Sequence, residues 1–263
     1  MKEKKVVFYH CYTPMHIGSG TTLGLIDLPI QREAHTDFPV MPSSAIKGVV
    51  RAEYEKSHSE EEAETLFGNQ EGEGNVIFTD GKILLFPVKS LKGIFVWITS
   101  PLVLDRLQRD LGINLGFDIP SPTNKQAFVS SNVPVLNNKL TLEEFTFEAK
   151  TLEDLKKLKT LTNTEIDENK IVLLSDDIFK FFVKNYTEVN ARIKIDQAKG
   201  TVAEGGLWYE ELLPAETIFY GALVRRGQDQ HLNTVTEFIK NKTFQFGADE
   251  TLGRGFTKIV VED

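Results

Sequence analysis

Between Ile17 and Pro42 the chain carries Gly18, Gly20, Gly24, Pro29, Pro39 and Pro42, and the apolar pieces between them are too short for an element. Proline removes a backbone donor and glycine weakens any regular element, so this stretch must be a long loop. Structureless loops above about 12–15 residues are uncommon in compact domains, and those that exist are usually functional or disordered. The run Leu23-Gly-Leu-Ile-Asp-Leu-Pro-Ile30 is too apolar for a disordered linker. The loop therefore reads as a functional segment between a first strand at 5–12, rich in β-branched and aromatic residues, and the next element.

That next element is a helix from Ser43 or Ser44, either of which can cap it, to about Lys56, with Ala45, Val49, Ala52 and Ile46 available to the core. A glutamate-rich stretch continues as a short helix to Phe67, broken by Gly68-Asn69. Strands are expected at 75–79, 82–88 and 93–99, with Asp80-Gly81 as a hairpin signal between the first two. A helix at 101–112 precedes an irregular stretch at 116–141, a strand at 143–149 and a charged helix near 151–160. Residues 175–186 form a helix with Phe179, Phe182 and Tyr186 on one face. Strands at 188–195 and from Leu207 make a long hairpin around Asp196 to Gly206. A strand at 216–224, a helix at 231–241 and two strands around the glycine loop 247–255 close the chain. No repeat or low-complexity linker divides the sequence, so one elaborated α+β domain is expected, with a ferredoxin-like sheet suiting the β-α-β opening.

Composition narrows the function classes. With 263 residues and 41% hydrophobic content the chain can build an ordinary core. Its single cysteine, Cys11, excludes an internal disulfide framework and a multi-cysteine zinc site, and the five histidines show no ligand spacing. No segment approaches the roughly 18 apolar residues of a membrane span, so a cytoplasmic protein without membrane contact is expected. The net charge is −8, which excludes an all-over cationic coat. That charge is unevenly placed. Residues 60–73 carry −6 and residues 143–177 carry −5, which leaves +3 on the rest, so a narrow basic groove with the acidic segments turned away is expected.

Three constellations could carry chemistry. His16-Ile-Gly18-Ser-Gly20 with Asp27 joins flexible backbone to a histidine and a carboxylate, which can bind a metal or move a proton, or simply cap a turn. Ser44, Lys47 and Arg51 share one helical face near a positive helix N-terminus, where an anion is favoured, and Gly48 within that helix suggests a close approach. Gly253-Arg254-Gly255 can wrap an anion, although Asp249-Glu250 beside it forbids a simple phosphate nest.

Taken in this order, the constellations resemble the RAMP superfamily of CRISPR systems, and within it the backbone subunits of the type III-B (Cmr) effector. The resemblance rests on His16-Ile-Gly-Ser-Gly20, Leu-Gly-Leu-Ile-Asp27-Leu-Pro-Ile-Gln-Arg-Glu33, His35-Thr36, Phe38-Pro39 and Pro42-Ser-Ser-x-x-Lys47-Gly. It is dense over the first ~50 residues and returns at 200–220 and 247–255.

What the resemblance implies is a single RAMP domain over 1–263, with a modified ferredoxin-like (RRM-like) palm, long loop insertions at about 60–175 and a thumb β-hairpin at about 192–213. It implies a subunit that polymerises with copies of itself and other Cmr effector subunits along a guide RNA. The complementary target RNA would be cut at regular intervals by a metal-dependent endoribonuclease reaction needing Mg2+ or Mn2+. The loop aspartate is then Asp27, as metal ligand or general base, with His16 positioning the phosphate and Glu211, beside Glu210, in a supporting role. Adjacent residues of a strand point to opposite faces, so one of these two glutamates at most reaches a given phosphate. Guide RNA would be held by Gly18, Ser44, Lys47, Arg51, Gly253, Arg254 and Gly255, mostly through its backbone. Trp208 and Tyr209 are candidates for stacking on a base or packing beneath it. A non-catalytic guide-binding scaffold and a metal-independent endoribonuclease that matures guide precursors are the alternatives.

Overall fold

The computed structural model describes residues 3–196 and 200–262. Residues 197–199, at the turn of the expected thumb hairpin, lie outside the described residues. The first strand, β1 (Lys4–Cys11), is buried along nearly its whole length, as befits an apolar run with neighbours on both edges and both faces. The long loop follows, touching the sheet through the short strand β2 (Val40–Met41) before helix α1 (Ser43–Glu55).

Neither Ser43 nor Ser44 caps α1. Pro42 is the cap residue, and the carboxylate of Asp80 accepts the Ser43 amide at 2.7 Å. The buried stripe of α1 is Ile46, Val50 and Tyr54; Ala45 and Val49 pack partly against the core and Ala52 is exposed. Its neighbour α2 (Glu60–Phe67) begins with a reciprocal capping box between Ser59 and Glu62 and buries Ala63, Leu66 and Phe67.

Asp80-Gly81 does not make a hairpin. Strands β3 (Val76–Phe78) and β4 (Gly81–Lys89) pair with different stretches of one common neighbour, so the break kinks a continuous path and frees Asp80 to cap α1. Next come β5 (Phe95–Thr99) and α3 (Pro101–Leu111), capped by Ser100 and closed by Gly112 at φ +63. The stretch read as irregular contains β6 (Gln126–Val129) and β7 (Lys139–Leu142). β8 (Phe145–Thr151), α4 (Lys157–Thr162) and β9 (Ile171–Leu173) complete this region. In α5 (Asp176–Asn185) Phe179 and Phe182 are buried, and Tyr186 just beyond is half-buried. Of the hairpin strands, β10 (Glu188–Asp196) falls where it was expected, and β11 (Thr201–Leu212) begins well before Leu207. β12 (Ile218–Arg225), α6 (Asp229–Ile239), β13 (Thr243–Gln245) and β14 (Phe256–Val261) end the described chain.

The central strands lie in the order β14-β1-β12-β4, each antiparallel to its neighbour. Two βαβ units, β1-α1-β4 and β12-α6-β14, are thus interleaved, as a ferredoxin-like split requires. Tyr54 of α1 meets Phe238 of α6 edge-to-face, and both helices cover one side of this palm. α3 covers the other: its Asp110 accepts from Lys82 and from the Tyr220 hydroxyl, and its Arg106 pairs with Glu33 of the loop. The sheet continues beyond β4 through β5, β9, β6, β8 and β7, so the region after Lys89 extends the palm sideways, while α2, β3 and β4 lie within the palm itself. β10 and β11 form a separate ribbon.

Candidate functional site

Two groups of the residues singled out above come together at two places. The first is the root of the β10–β11 ribbon. Here the two legs of the long loop pair with each other, Ser19 N donating to Pro29 O and Gln31 N to Ile17 O. The returning leg then runs alongside β11, with Leu28 N donating to Tyr209 O and Glu211 N to Leu28 O, each at 3.0 Å. This ladder places Asp27 against the ribbon, where its Oδ2 accepts the Tyr209 amide at 2.7 Å. The loop tip beyond it is open, and Leu23 and Leu25 project fully into solvent.

His16 joins three segments. Its Nδ1 is 2.6 Å from the carbonyl oxygen of Glu211, and because a carbonyl only accepts, Nδ1 carries the proton and the lone pair of the neutral ring is on Nε2. Its own carbonyl accepts the Ala248 amide from the terminal glycine loop. Gly247 is required there, since a Cβ would come within 2.1 Å of that carbonyl. At Gly18 a Cβ would lie 2.7 Å from His16 Nε2, so a side chain there would push on the imidazole. His16 itself is 5% exposed, so its ring braces the junction beneath the loop surface.

The two adjacent glutamates divide as the strand period demands. Glu211 is buried and committed: Arg32, Thr187 Oγ1 and the Ile30 amide all donate to its carboxylate, which ties loop, α5–β10 turn and ribbon together. Arg32 completes its own bonding at the carbonyls of Asp37 and Val183. Glu210 is the one that faces His16, with Oε1 3.9 Å from Nε2. Arg192 approaches it from β10, and Asp249 from the terminal loop. Burial, then the negative Asp249, push the Glu210 carboxyl above its ordinary range, against the opposing pull of His16 and Arg192. Burial also pushes the Cys11 thiol up to about 12, which removes it as a nucleophile.

The second place is an open cleft of about 1260 Å³ beside α1. Ser44, Lys47 and Arg51 line it, so the helical face read from the sequence is one surface. Ser44 is exposed, and Gly48 beside it has open space where a Cβ would be. Arg51 is engaged by Glu55 and by the Gly68 carbonyl, whereas Lys47 has no hydrogen-bond or ion-pair partner among the described residues. The acidic segment is not turned away from this surface. Glu64, Glu71 and Glu73 line the same cleft, and Glu73 pairs with Arg226 across it, because Arg51 and the folded Gly68–Gly74 loop hold α2 against α1.

In the terminal loop Gly253 is half-buried with open space around it, and Arg254 is half-buried, its charge reaching Glu188 of β10. Gly255 is buried at φ +75, and a Cβ there would meet the Phe246 carbonyl at 1.9 Å, so it shapes the loop. Trp208 is half-buried opposite Arg192. On the ribbon's other face Val189, Ile193, Leu207 and Tyr209 are exposed. Thr187 and Arg192 had no sequence signal, and Arg32, although it lies in the loop motif, had none for its role, because the partners of all three lie far away in the chain.

Among the described residues no group of three or more His, Cys, Asp or Glu side chains is arranged to hold a metal ion. Asp27 offers one carboxylate oxygen beyond the bond to Tyr209. That donor set suits a hydrated ion carried mainly by phosphate oxygens, the usual state of magnesium, and does not suit an all-protein cage.

Comparison with known proteins gives consistent results. The RAMP superfamily model matches residues 9–258. A Pyrococcus furiosus protein named CRISPR system Cmr endoribonuclease Cmr4 is 38% identical to this chain, covering 98% of it and 95% of the relative. A crystal structure of oligomeric Cmr4 from Pyrococcus furiosus superimposes with a TM-score of 0.81 at 33% identity, covering 100% of this chain and 99% of that one. A chain in a cryo-EM structure of the type III-B Cmr-beta complex bound to cognate target RNA has the same fold, with a TM-score of 0.82 at 21% identity over 98% of this chain and 97% of that chain.

Proposed function

The chain belongs to the RAMP superfamily, and from that membership we propose that it is the guide-RNA-binding backbone subunit of a type III-B CRISPR effector and cuts complementary target RNA endonucleolytically. Copies of the chain, together with other subunits of the effector, assemble along the guide, in line with the oligomeric relative. Among the described residues no helix is long and apolar enough to cross a membrane, and the role goes with a cytoplasmic location.

The observation that carries the reading is the placement of Asp27. A single carboxylate is fixed by one oxygen to the ribbon that would reach the target, at the edge of an open loop, with its other oxygen available. Holding a target ribose and its phosphate in line at such a point is most of what RNA cleavage requires, since the nucleophile is the substrate's own 2′-hydroxyl. Asp27 would hold a divalent cation, Mg2+ or Mn2+, which would supply charge stabilisation at the scissile phosphate. His16 and Glu211 keep loop, ribbon and terminal loop in register beneath it. The test is cleavage of complementary RNA by the reconstituted complex. Regularly spaced products that vanish with a chelator and return with Mg2+ are expected; undiminished cutting in chelator overturns the metal assignment, and an intact guide-loaded complex that cuts nothing makes the subunit a scaffold.

Guide binding has its own check. Lys47 lies on the cleft with no partner among the described residues, so Lys47→Ala should weaken guide binding uniformly across guide sequences and lower the salt slope of log K by about 1. Filter binding over a range of KCl concentrations reads both quantities. An unchanged slope would move the guide contact away from α1.

A further inference from the structure

The root of the ribbon contains a charged group that the proposed cleavage does not use. Asp249 is in the left-handed region, at φ +62, in the terminal loop. Its Oδ1 accepts from Arg192 Nη2 at 3.0 Å, while its Oδ2 is buried with no donor among the described residues. The group that faces it is the Glu210 carboxyl, itself 5% exposed and 3.6 Å from Arg192 Nε. Two ionised carboxylates offer each other only lone pairs, and a buried acceptor without a donor is costly. One proton held between them supplies the missing donor and leaves a single negative charge for Arg192 to balance.

We propose that Asp249 is a positioning residue, holding Glu210 as one half of a carboxyl pair that shares a proton beneath His16. The inference rests on the reading of Asp27 and its loop as the cleavage site. The pair acts there through Glu210, which faces His16 Nε2 and whose backbone bridges Leu28, next to Asp27. Asp249 also belongs to the loop that carries Arg254, so the pair links the guide-binding loop to the ribbon beside the target. The other charged groups around it are Arg192 and Glu188 on β10, Arg254 on the terminal loop and His16 on the loop after β1. Glu211 is on the opposite face of β11, neutralised by Arg32.

The signs of the effects follow from this arrangement. Asp249→Asn removes a negative neighbour and gives Glu210 an amide donor, both of which favour its ionised form; asparagine also tolerates the left-handed backbone, so the fold should survive. Arg192→Gln removes the balancing cation and acts oppositely. Carbon-13 NMR of labelled glutamate in the full chain should show the Glu210 titration midpoint lower by about one pH unit in Asp249→Asn and higher in Arg192→Gln. In the assembled complex the pH–rate profile for target cleavage should carry an inflection that Glu210→Gln removes and Asp249→Asn moves to lower pH by a similar amount. An unmoved Glu210 midpoint in Asp249→Asn overturns the shared proton. A moved midpoint with a superimposable pH–rate profile overturns the positioning role. The NMR titration needs no catalysis, so a wild-type complex that cuts no RNA would refute the cleavage reading separately from the pair.

Discussion

Replacing Asp27 with alanine is expected to slow target cleavage by the assembled complex at least about a hundredfold, the usual scale for removing a group that stabilises the reacting charge, while guide binding and assembly persist. The structural loss is small. Asp27 gives the fold one hydrogen bond to the Tyr209 amide, worth about 1 kcal/mol, and the ladder through Leu28, Ser19 and Gln31 does not depend on it. Asp27→Asn separates geometry from charge, because its amide oxygen can still accept from Tyr209 while the negative charge is gone. Both variants should be equally slow. A near-normal rate in Asp27→Asn would show that the side chain only shapes the loop, and a near-normal rate in both would assign the chain to guide binding alone. Single-turnover cleavage of complementary RNA, with gel filtration to confirm assembly, distinguishes these outcomes.

The second large effect concerns stability. Arg32→Ala should destabilise the chain by about 3–5 kcal/mol, because it strands a buried carboxylate. The Glu211 side chain is 4% exposed, and among the described residues only Thr187 and the Ile30 amide would remain to bond it. For a chain of this size that corresponds to a fall in melting temperature of roughly 10 °C, read by calorimetry. Arg32 also bonds the carbonyls of Asp37 and Val183, so the loss should loosen the loop that carries Asp27 and reduce cleavage as well. The double variant Arg32→Leu with Glu211→Leu should recover part of the stability, since an apolar pair leaves no stranded charge. If the single variant melts with the wild type, the Arg32–Glu211 pair contributes nothing to holding the ribbon.

Most of the palm could be read in advance because its elements carry local signals. β1 and β12 are apolar runs bounded by turn residues, and α5 and α6 show helical spacing. The strands β6, β7 and β9 carry no such signal because they are three or four residues long, and their pairing in the sheet defines them more than their composition does. The Asp80-Gly81 turn was legible, but its use was not: the same dipeptide that closes hairpins here kinks the path between two strands on a common neighbour and caps a helix begun 37 positions earlier.

The site divides along the same line. Local chemistry marked the long loop, its aspartate and histidine, the cationic face of α1 and the glycine loop 247–255, because covalent geometry restricts what glycine, proline and a period-two strand can do within one segment. It also established that Glu210 and Glu211 must point apart. Tertiary packing alone decided which of them meets Arg32 and which meets His16 and Asp249, and it brought the acidic 60–73 segment into the cleft with Lys47. Arg32 and Glu211 are 179 positions apart, and Arg192 and Asp249 are 57 apart. A charge that burial strips of water needs a counter-charge beside it, and nothing in the residues flanking either partner records where that burial will happen.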